Sequence, residues 1–411
     1  MTKTRWGLII MLGLTGLISA QTVSDFDHLY RYYGNSYLKR INRFYIKNGN
    51  FGISGNANSN FFMHPNIVES DHSLSLSASL RGAYLFRHRV LFEFIPTLSY
   101  VNHFDHPEYS YLNRALTSNL YVKLWHRMLW QCAYTVSRNR WRIYDTFGEL
   151  VIRTANILKT RLAYETARKT ALFLEAGLIK NKISGDLFND ENTLDDRFNQ
   201  ETLNLGCGVE YRLTAKTTAS LAANIYFTEF PNYLRQDHRG IQVQVGIRFP
   251  KVGTEEGRIS GRVLFGLKTY DLDEYDKHFL TWIADTDLVV ARGRWRWNVR
   301  VGRDFDFAVF QVSPLVHTTV FVGVDYYWSK RFFLGAGFRY HHLDYRVPLI
   351  VDWGRTLVTA VATSPVLTFG LRALNKLWLT LTWSQFDWTS DRYYYYNKHN
   401  NVFSFGIVKR F

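Results

Sequence analysis

The stretch His399-Asn-Asn-Val-Phe-Ser-Phe-Gly-Ile-Val-Lys-Arg-Phe411 decides how this chain is read. Phe403, Phe405, Ile407 and Phe411 fall on one side of an extended segment, and Ser404, Gly406 and Arg410 fall on the other. Successive side chains of a strand point to opposite faces, so this spacing describes a strand with one apolar and one polar face.

The same period runs back through most of the sequence. From Ser73 to Phe86, Leu74, Leu76, Ala78, Leu80, Tyr84 and Phe86 alternate with Ser75, Ser77, Ser79 and Arg81. Arg87-His88-Arg89 then reverses the chain, and Leu91 to Tyr100 carries Phe92, Phe94, Leu98 and Tyr100 on one face. A polar stretch from Asn102 to Asn113 follows, and the rhythm of short turn and long loop repeats. Further strands are predicted at 115–125, 129–138, 155–164, 170–179, 201–212, 217–228, 240–249, 258–270, 279–290, 295–304, 316–328, 332–343, 357–373, 377–386 and 401–411. The segment 357–373 is the least regular, because Pro365 interrupts it.

Residues 1–20 carry Lys3 and Arg5, an apolar run from Gly7 to Ile18, and Ser19-Ala20 before Gln21. That layout predicts a cleavable export signal; the run is too short to serve comfortably as a membrane anchor, and no Cys follows it to take a lipid. Beyond it no run of roughly 18 apolar residues occurs, which excludes a bundle of membrane-crossing helices. The chain nevertheless holds 30 Phe, 26 Tyr and 12 Trp with only 8 Pro. An aromatic-rich, alternating chain fits an all-β fold: a transmembrane antiparallel up-and-down β-barrel with rings at both membrane interfaces. A soluble sandwich or propeller shares the alternation but not the asymmetry between short turns and long loops.

Bacterial single-chain barrels keep both termini in the periplasm and have even strand numbers, short periplasmic turns and long external loops. The first clear strand ends at a short turn and is therefore descending, so an ascending strand must precede it. Asn50 to Phe62 is the candidate, giving about 18 strands. The expected organisation is a signal peptide over 1–20, a periplasmic arm or plug over 21–49, and the barrel over 50–411. Cys132 and Cys207 fall on the lipid-facing parity and read as apolar fillers rather than as a disulfide.

With the apolar parity facing lipid, the other parity lines the lumen. It collects Arg81, Lys123, Lys159, Arg161, Arg212, Arg248, Arg258, Arg262, Lys268, Arg296, Arg300, Arg339, Arg372 and Arg410 against Glu93, Glu175, Glu210, Asp285, Asp287, Asp304 and Asp325. Some of these must pair to knit the wall. The basic excess still predicts a positive interior that low-dielectric walls focus on anions. Arg81, Lys123, Arg161, Arg248, Arg262, Arg296, Arg300, Arg339 and Arg372 are the candidate solute-attracting residues. The short turns are also basic, with Arg87, Arg89, Arg127, Arg168, Lys169, Lys216, Arg292, Arg294, Lys330, Arg331 and Lys376. They suit either a polyanion at the periplasmic mouth or anionic groups of the inner leaflet.

No cofactor or metal is expected. The acidic stretch Asp186 to Asp196 lacks the ligand spacing and central Gly of a calcium loop and reads as a solvated loop. Tyr393 to Tyr396 read as part of the outer aromatic belt rather than as a sugar-stacking platform. No G-x-S-x-G or H-E-x-x-H motif occurs, and the one cluster worth naming, His341, His342 and Asp344, is split by alternation, with His341 inward and His342 outward. An enzyme is not expected. A nucleic-acid partner is not expected either, since the basic residues are spread over turns and lumen despite a formal charge of +15.

The tail from His399 to Phe411 resembles the C-terminal strand by which outer-membrane β-barrels are recognised, implying the barrel-assembly machinery as a partner through Phe411, beside outer-membrane lipid and lipopolysaccharide. The chain also resembles the β-barrel porin 2 family associated with exopolysaccharide and exosortase loci. That likeness rests on the strand running into the Asn-rich stretch Gly52 to Asn66, on Ser-Asp-His-Ser-Leu-Ser-Leu-Ser at 70–77, on the Arg-rich pair 279–304 and on the hairpin 316–343. It implies an outer-membrane channel, a passive conduit for an anionic polysaccharide or its fragments. A plugged docking barrel that anchors a periplasmic assembly, and a general uptake porin, are the alternatives.

Overall fold

The computed structural model describes residues 43–59, 69–86, 89–142, 150–184, 199–214, 217–231, 237–252, 258–272, 277–308, 313–345, 349–351, 354–356, 359–374, 376–390 and 398–410. The strands are β1 (Arg43–Asn58), β2 (Asp71–Phe86), β3 (Val90–His103), β4 (Tyr111–Trp125), β5 (Met128–Arg142), β6 (Leu150–Ala167), β7 (Thr170–Ser184) and β8 (Gln200–Thr214). They continue as β9 (Thr217–Glu229), β10 (His238–Val252), β11 (Arg258–Leu272), β12 (Lys277–Arg292), β13 (Trp295–Ala308), β14 (Ser313–Tyr327) and β15 (Phe332–Tyr345). A small hairpin, β16 (Leu349–Val351) with β17 (Gly354–Thr356), precedes β18 (Thr359–Leu374), β19 (Leu377–Ser390) and β20 (Lys398–Arg410).

Apart from that hairpin, the strands form one 18-stranded sheet in which each pairs antiparallel with its neighbours in sequence. The sheet closes where β1 meets β20, from Asn50 opposite Arg410 to Asn58 opposite Val402. Closure removes both edges, so every wall strand has two partners and none is left as a template for aggregation.

Alternation then sorts the side chains. Leu174, Leu205, Leu221, Val245 and Phe265 are each 46 to 61% exposed on the outer face, and Phe403, Phe405 and Ile407 of β20 share it. A greasy sheet face left bare to this extent belongs against hydrocarbon, which disposes of the sandwich and propeller readings. No described helix is long and apolar enough to cross a membrane; the crossing is made by strands. Cys132 and Cys207 are free thiols on the outward parity, as expected. Trp125, Trp295, Trp297 and Trp328 stand exposed beside the short turns as an interfacial belt.

Two expectations shift. The first strand is Arg43–Asn58 rather than 50–62, so residues 43–49 belong to the wall and not to an arm. A register shift between Ile46 and Asn48 is the reason: Phe44 and Ile46 face outward on even numbers, and Phe51 does so on an odd one. One extra residue inverts the parity and hides the strand from a strict two-residue period. The gap between the predicted strands 332–343 and 357–373 contains the end of β15 and the β16–β17 hairpin. Pro365 does lie inside a wall strand, opposite Phe338, and the ladder to β19 skips from Thr363 to Val366 around it. Residues 1–42, Asp186 to Asp196, Tyr393 to Tyr396 and Phe411 lie outside the described residues.

The irregularities gather at the short-turn end. Register shifts occur at Lys123/Trp125, Glu165/Ala167, Arg212/Thr214, Phe249/Val252 and Arg372/Leu374, each beside a short connection. There the carbonyl of a basic turn residue accepts a bond from the next hairpin. Lys123 N–H donates to Arg89 O at 2.8 Å, Glu165 N–H to Arg127 O at 2.8 Å, Arg212 N–H to Lys169 O at 2.7 Å and Arg372 N–H to Arg331 O at 2.6 Å. Backbone groups that the bulges free are thereby satisfied within the rim, and the side chains of Arg89, Arg127, Lys169 and Arg331 stay exposed.

Candidate functional site

The inward parity builds the lumen wall, and the register fixes which inward residues are neighbours. One row runs from Arg212 of β8 to Thr218 of β9, Arg248 of β10, Arg262 of β11, Asp287 of β12, Arg300 of β13, Phe321 of β14 and Arg339 of β15. Every member is the direct cross-strand partner of the next. Strands of such barrels tilt by about 40°, so a row perpendicular to them climbs the wall as a staircase rather than circling it. The strand positions show the climb: Arg248 is four residues from the short-turn end at Val252, Arg300 five from Trp295, and Arg339 seven from Phe332. Side chains directly opposite each other on neighbouring strands are about 5 Å apart, so the fields of successive members of the row overlap.

The row is partly compensated. Arg262 pairs with Asp285 at 2.5 Å and Arg300 with Asp287 at 3.4 Å, all four side chains being 32 to 54% exposed. Arg339 lies between the rings of Phe321 and Phe386, 6.0 and 5.5 Å from their centroids. A guanidinium within this distance of an aromatic ring is attracted to its face.

The other predicted residues are dispersed. Arg81 of β2 donates through Nε to Glu93 Oε1 at 2.6 Å, and Asn119 Nδ2 donates to the second oxygen of that carboxylate at 2.9 Å. The Arg81 side chain is 38% exposed and still meets water. Lys123, Arg296 and Arg372 sit near the short-turn ends of β4, β13 and β18, below the staircase. Arg296 is exposed, opposite Asp325.

Arg161 departs from its expected part. It is 2% exposed, within 2.9 Å of Glu210 and stacked with its Cζ 3.9 Å from the centre of the Phe173 ring. A guanidinium sealed against a carboxylate and a ring is part of the masonry of β6, β7 and β8 and does not meet a passing anion. Gly208 lies under the same ring, where a Cβ would strike Phe173. The sequence reveals the parity of Arg161 but not its partner, which stands two strands away.

Two lumen pairings were not foreseen from the sequence, although Lys268 and Asp304 each fall on the inward parity. Gln242 Nε2 donates to Gln244 Oε1 at 2.7 Å on β10, and Lys268 Nζ donates to Asp304 Oδ1 at 2.6 Å on the adjoining wall. Both follow from inward parity once the register is known. The histidines behave as expected: His341 is buried inward with Nδ1 3.3 Å from His317 Nε2, and His342 stacks outward on Tyr340. They share no substrate-facing surface. Among the described residues no group of three or more His, Cys, Asp or Glu is placed to hold a metal ion.

No protein-family model and no curated protein matches the chain. Among solved structures it is similar to OccK2 (OpdF) of Pseudomonas aeruginosa, at 12% identity and a TM-score of 0.51, over 88% of this chain and 97% of that one. It is also similar to Pseudomonas aeruginosa OpdL, at 13% identity and a TM-score of 0.46 over 89% and 98% of the two chains. The outer membrane protein OpdK of the same species gives 11%, 0.47, 89% and 98%. At these identities the likeness is one of fold; a closed antiparallel barrel whose outer face is a bare apolar belt is the architecture of outer-membrane-type barrels.

Proposed function

We propose that the barrel is a channel for anionic solutes, most concretely a passive conduit for an acidic exopolysaccharide or its fragments. The observation that carries this reading is the staircase of Arg212, Arg248, Arg262, Arg300 and Arg339 in one register row, interrupted by a single carboxylate, Asp287. A pore must bind weakly at several sites, since one tight site would block it. Partly compensated, water-facing arginines spaced along a climb meet that requirement better than one bare cluster. A polyanion could exchange between successive rungs without leaving the field.

The test is conductance of the purified protein in planar bilayers. An open, anion-preferring current is expected, and replacing Arg248, Arg262, Arg300 and Arg339 by Glu should reverse the ion preference. Unchanged selectivity in that variant ends the electrostatic mechanism. A second reading, a filled barrel that docks a periplasmic assembly, draws support from the burial of inward polar groups such as Gln131, Arg161, Gln244 and Thr368, each at most 6% exposed. Failure of the folded protein to conduct any current would favour it.

A further inference from the structure

At the long-loop end, on the opposite face of the wall, three basic residues stand where apolar side chains are the rule. Arg114 of β4 falls between Leu112 and Leu116, which are 53% and 39% exposed on the outward face. Arg138 of β5 has the parity of the exposed Tyr134, and Lys182 of β7 has that of the exposed Leu172 and Leu174. The register draws them together: Arg114 is opposite Arg138, Arg138 opposite Thr154, and Thr154 opposite Lys182. All three cations are exposed. Their row spans three interstrand steps, roughly 14 Å of wall.

Their neighbours do not neutralise them. Glu201 is taken by Lys180 at 2.8 Å, and Arg140 is held over the Tyr109 and Tyr111 rings while it donates to Glu108 O. Among the described residues Arg114, Arg138 and Lys182 have no ion-pair or hydrogen-bond partner. Like charges directly across a strand pair repel, so the Arg114/Arg138 juxtaposition calls for an anion from outside the chain.

Depth identifies which anion. Arg114 lies eleven residues from the short-turn end of β4 at Trp125. At about 3.3 Å per residue and a tilt near 40°, that is a rise of roughly 27 Å, just past an apolar band of about 25 Å. The row therefore stands at the boundary between hydrocarbon and headgroups of the outer leaflet, with Leu98, Leu116 and Tyr134 below it to meet acyl chains.

We propose that Arg114, Arg138 and Lys182 form a docking surface for the phosphates of an outer-leaflet phosphoglycolipid. The surface is independent of whatever crosses the lumen. Two arginines with a lysine beyond them suit a headgroup bearing two separated phosphates, and bidentate guanidinium contacts favour phosphate over a neutral sugar.

The experiment is native mass spectrometry of the full-length protein in detergent, without divalent cations, titrated with bisphosphorylated lipid A and with the same lipid dephosphorylated. Wild type should retain the bisphosphorylated lipid at least about tenfold more tightly. The Arg114→Gln/Arg138→Gln/Lys182→Gln variant should lose that preference, and an inward Arg248→Gln/Arg300→Gln/Arg339→Gln set should keep it. Equal retention of the two lipids by wild type overturns the proposal without recourse to any variant. So does loss of the preference in the inward set, or displacement of the lipid by millimolar inorganic phosphate.

Discussion

Arg161 shows how one residue type serves opposite ends in one wall. On β10, β11, β13 and β15 the inward arginines keep contact with water, whereas on β6 the same residue is sealed between Glu210 and Phe173. Taking a charge out of water is costly, and removing one member of a buried pair leaves the other uncompensated. Arg161→Met should therefore destabilise the barrel by about 3 kcal/mol, because the Glu210 side chain is itself only 2% exposed. The Arg161→Met/Glu210→Met double variant should recover most of that loss, as two apolar groups of similar volume need no compensation. Urea unfolding in lipid vesicles measures both, and additive losses would show that the two residues do not act as a pair. Gly208 belongs to the same unit, since any larger residue would lift Phe173 off it and disturb the ring on which Arg161 rests. Nothing in the local sequence distinguishes Arg161 from Arg248. Burial is a property of partners on β7 and β8, brought near by register alone.

At the scale of the strand the sequence was far more legible. A period of two with a strong contrast between faces marks most wall strands, because hydrocarbon on one side and polar groups on the other are imposed across the membrane. What escaped was phase: the bulge at Ile46/Asn48 disguised the start of β1, and bonding of polar termini extended β5, β7 and β19 beyond their apolar cores, to Arg142, Ser184 and Ser390. Strand ends lie above the membrane, where alternation is no longer enforced. Parity makes a sharp prediction at β8, where Leu205 faces outward and Asn204 inward. Leu205→Arg near mid-height should cost about 2–4 kcal/mol, and Asn204→Arg, one residue away, less than about 1 kcal/mol. Equal costs by urea titration in vesicles would contradict the assignment of the two faces.

For the molecule as a whole, the question is whether the staircase acts through its field or through a specific binding geometry. Arg262 and Arg300 are close to Asp285 and Asp287, so their near field is partly cancelled, and the selectivity proposed for the channel rests on the excess of positive charge. Such an excess is felt over a distance set by salt, about 10 Å at 0.1 M and about 3 Å at 1 M ionic strength. The sequence displayed that excess plainly, since charge can be counted by parity. It did not display the alignment, because Arg248, Arg262, Arg300 and Arg339 become neighbours only through the register of four different strands. A field spread over rungs predicts that the ratio of anion to cation permeability falls steadily towards unity as potassium chloride rises from about 0.03 to 1 M, where the screening length drops below the spacing of the strands. Reversal potentials across a salt gradient read this directly. A ratio that holds constant to 1 M would mean that ions are recognised at contact distance, by a site whose geometry outlasts screening, and the staircase would then be scaffolding for that site rather than the filter itself.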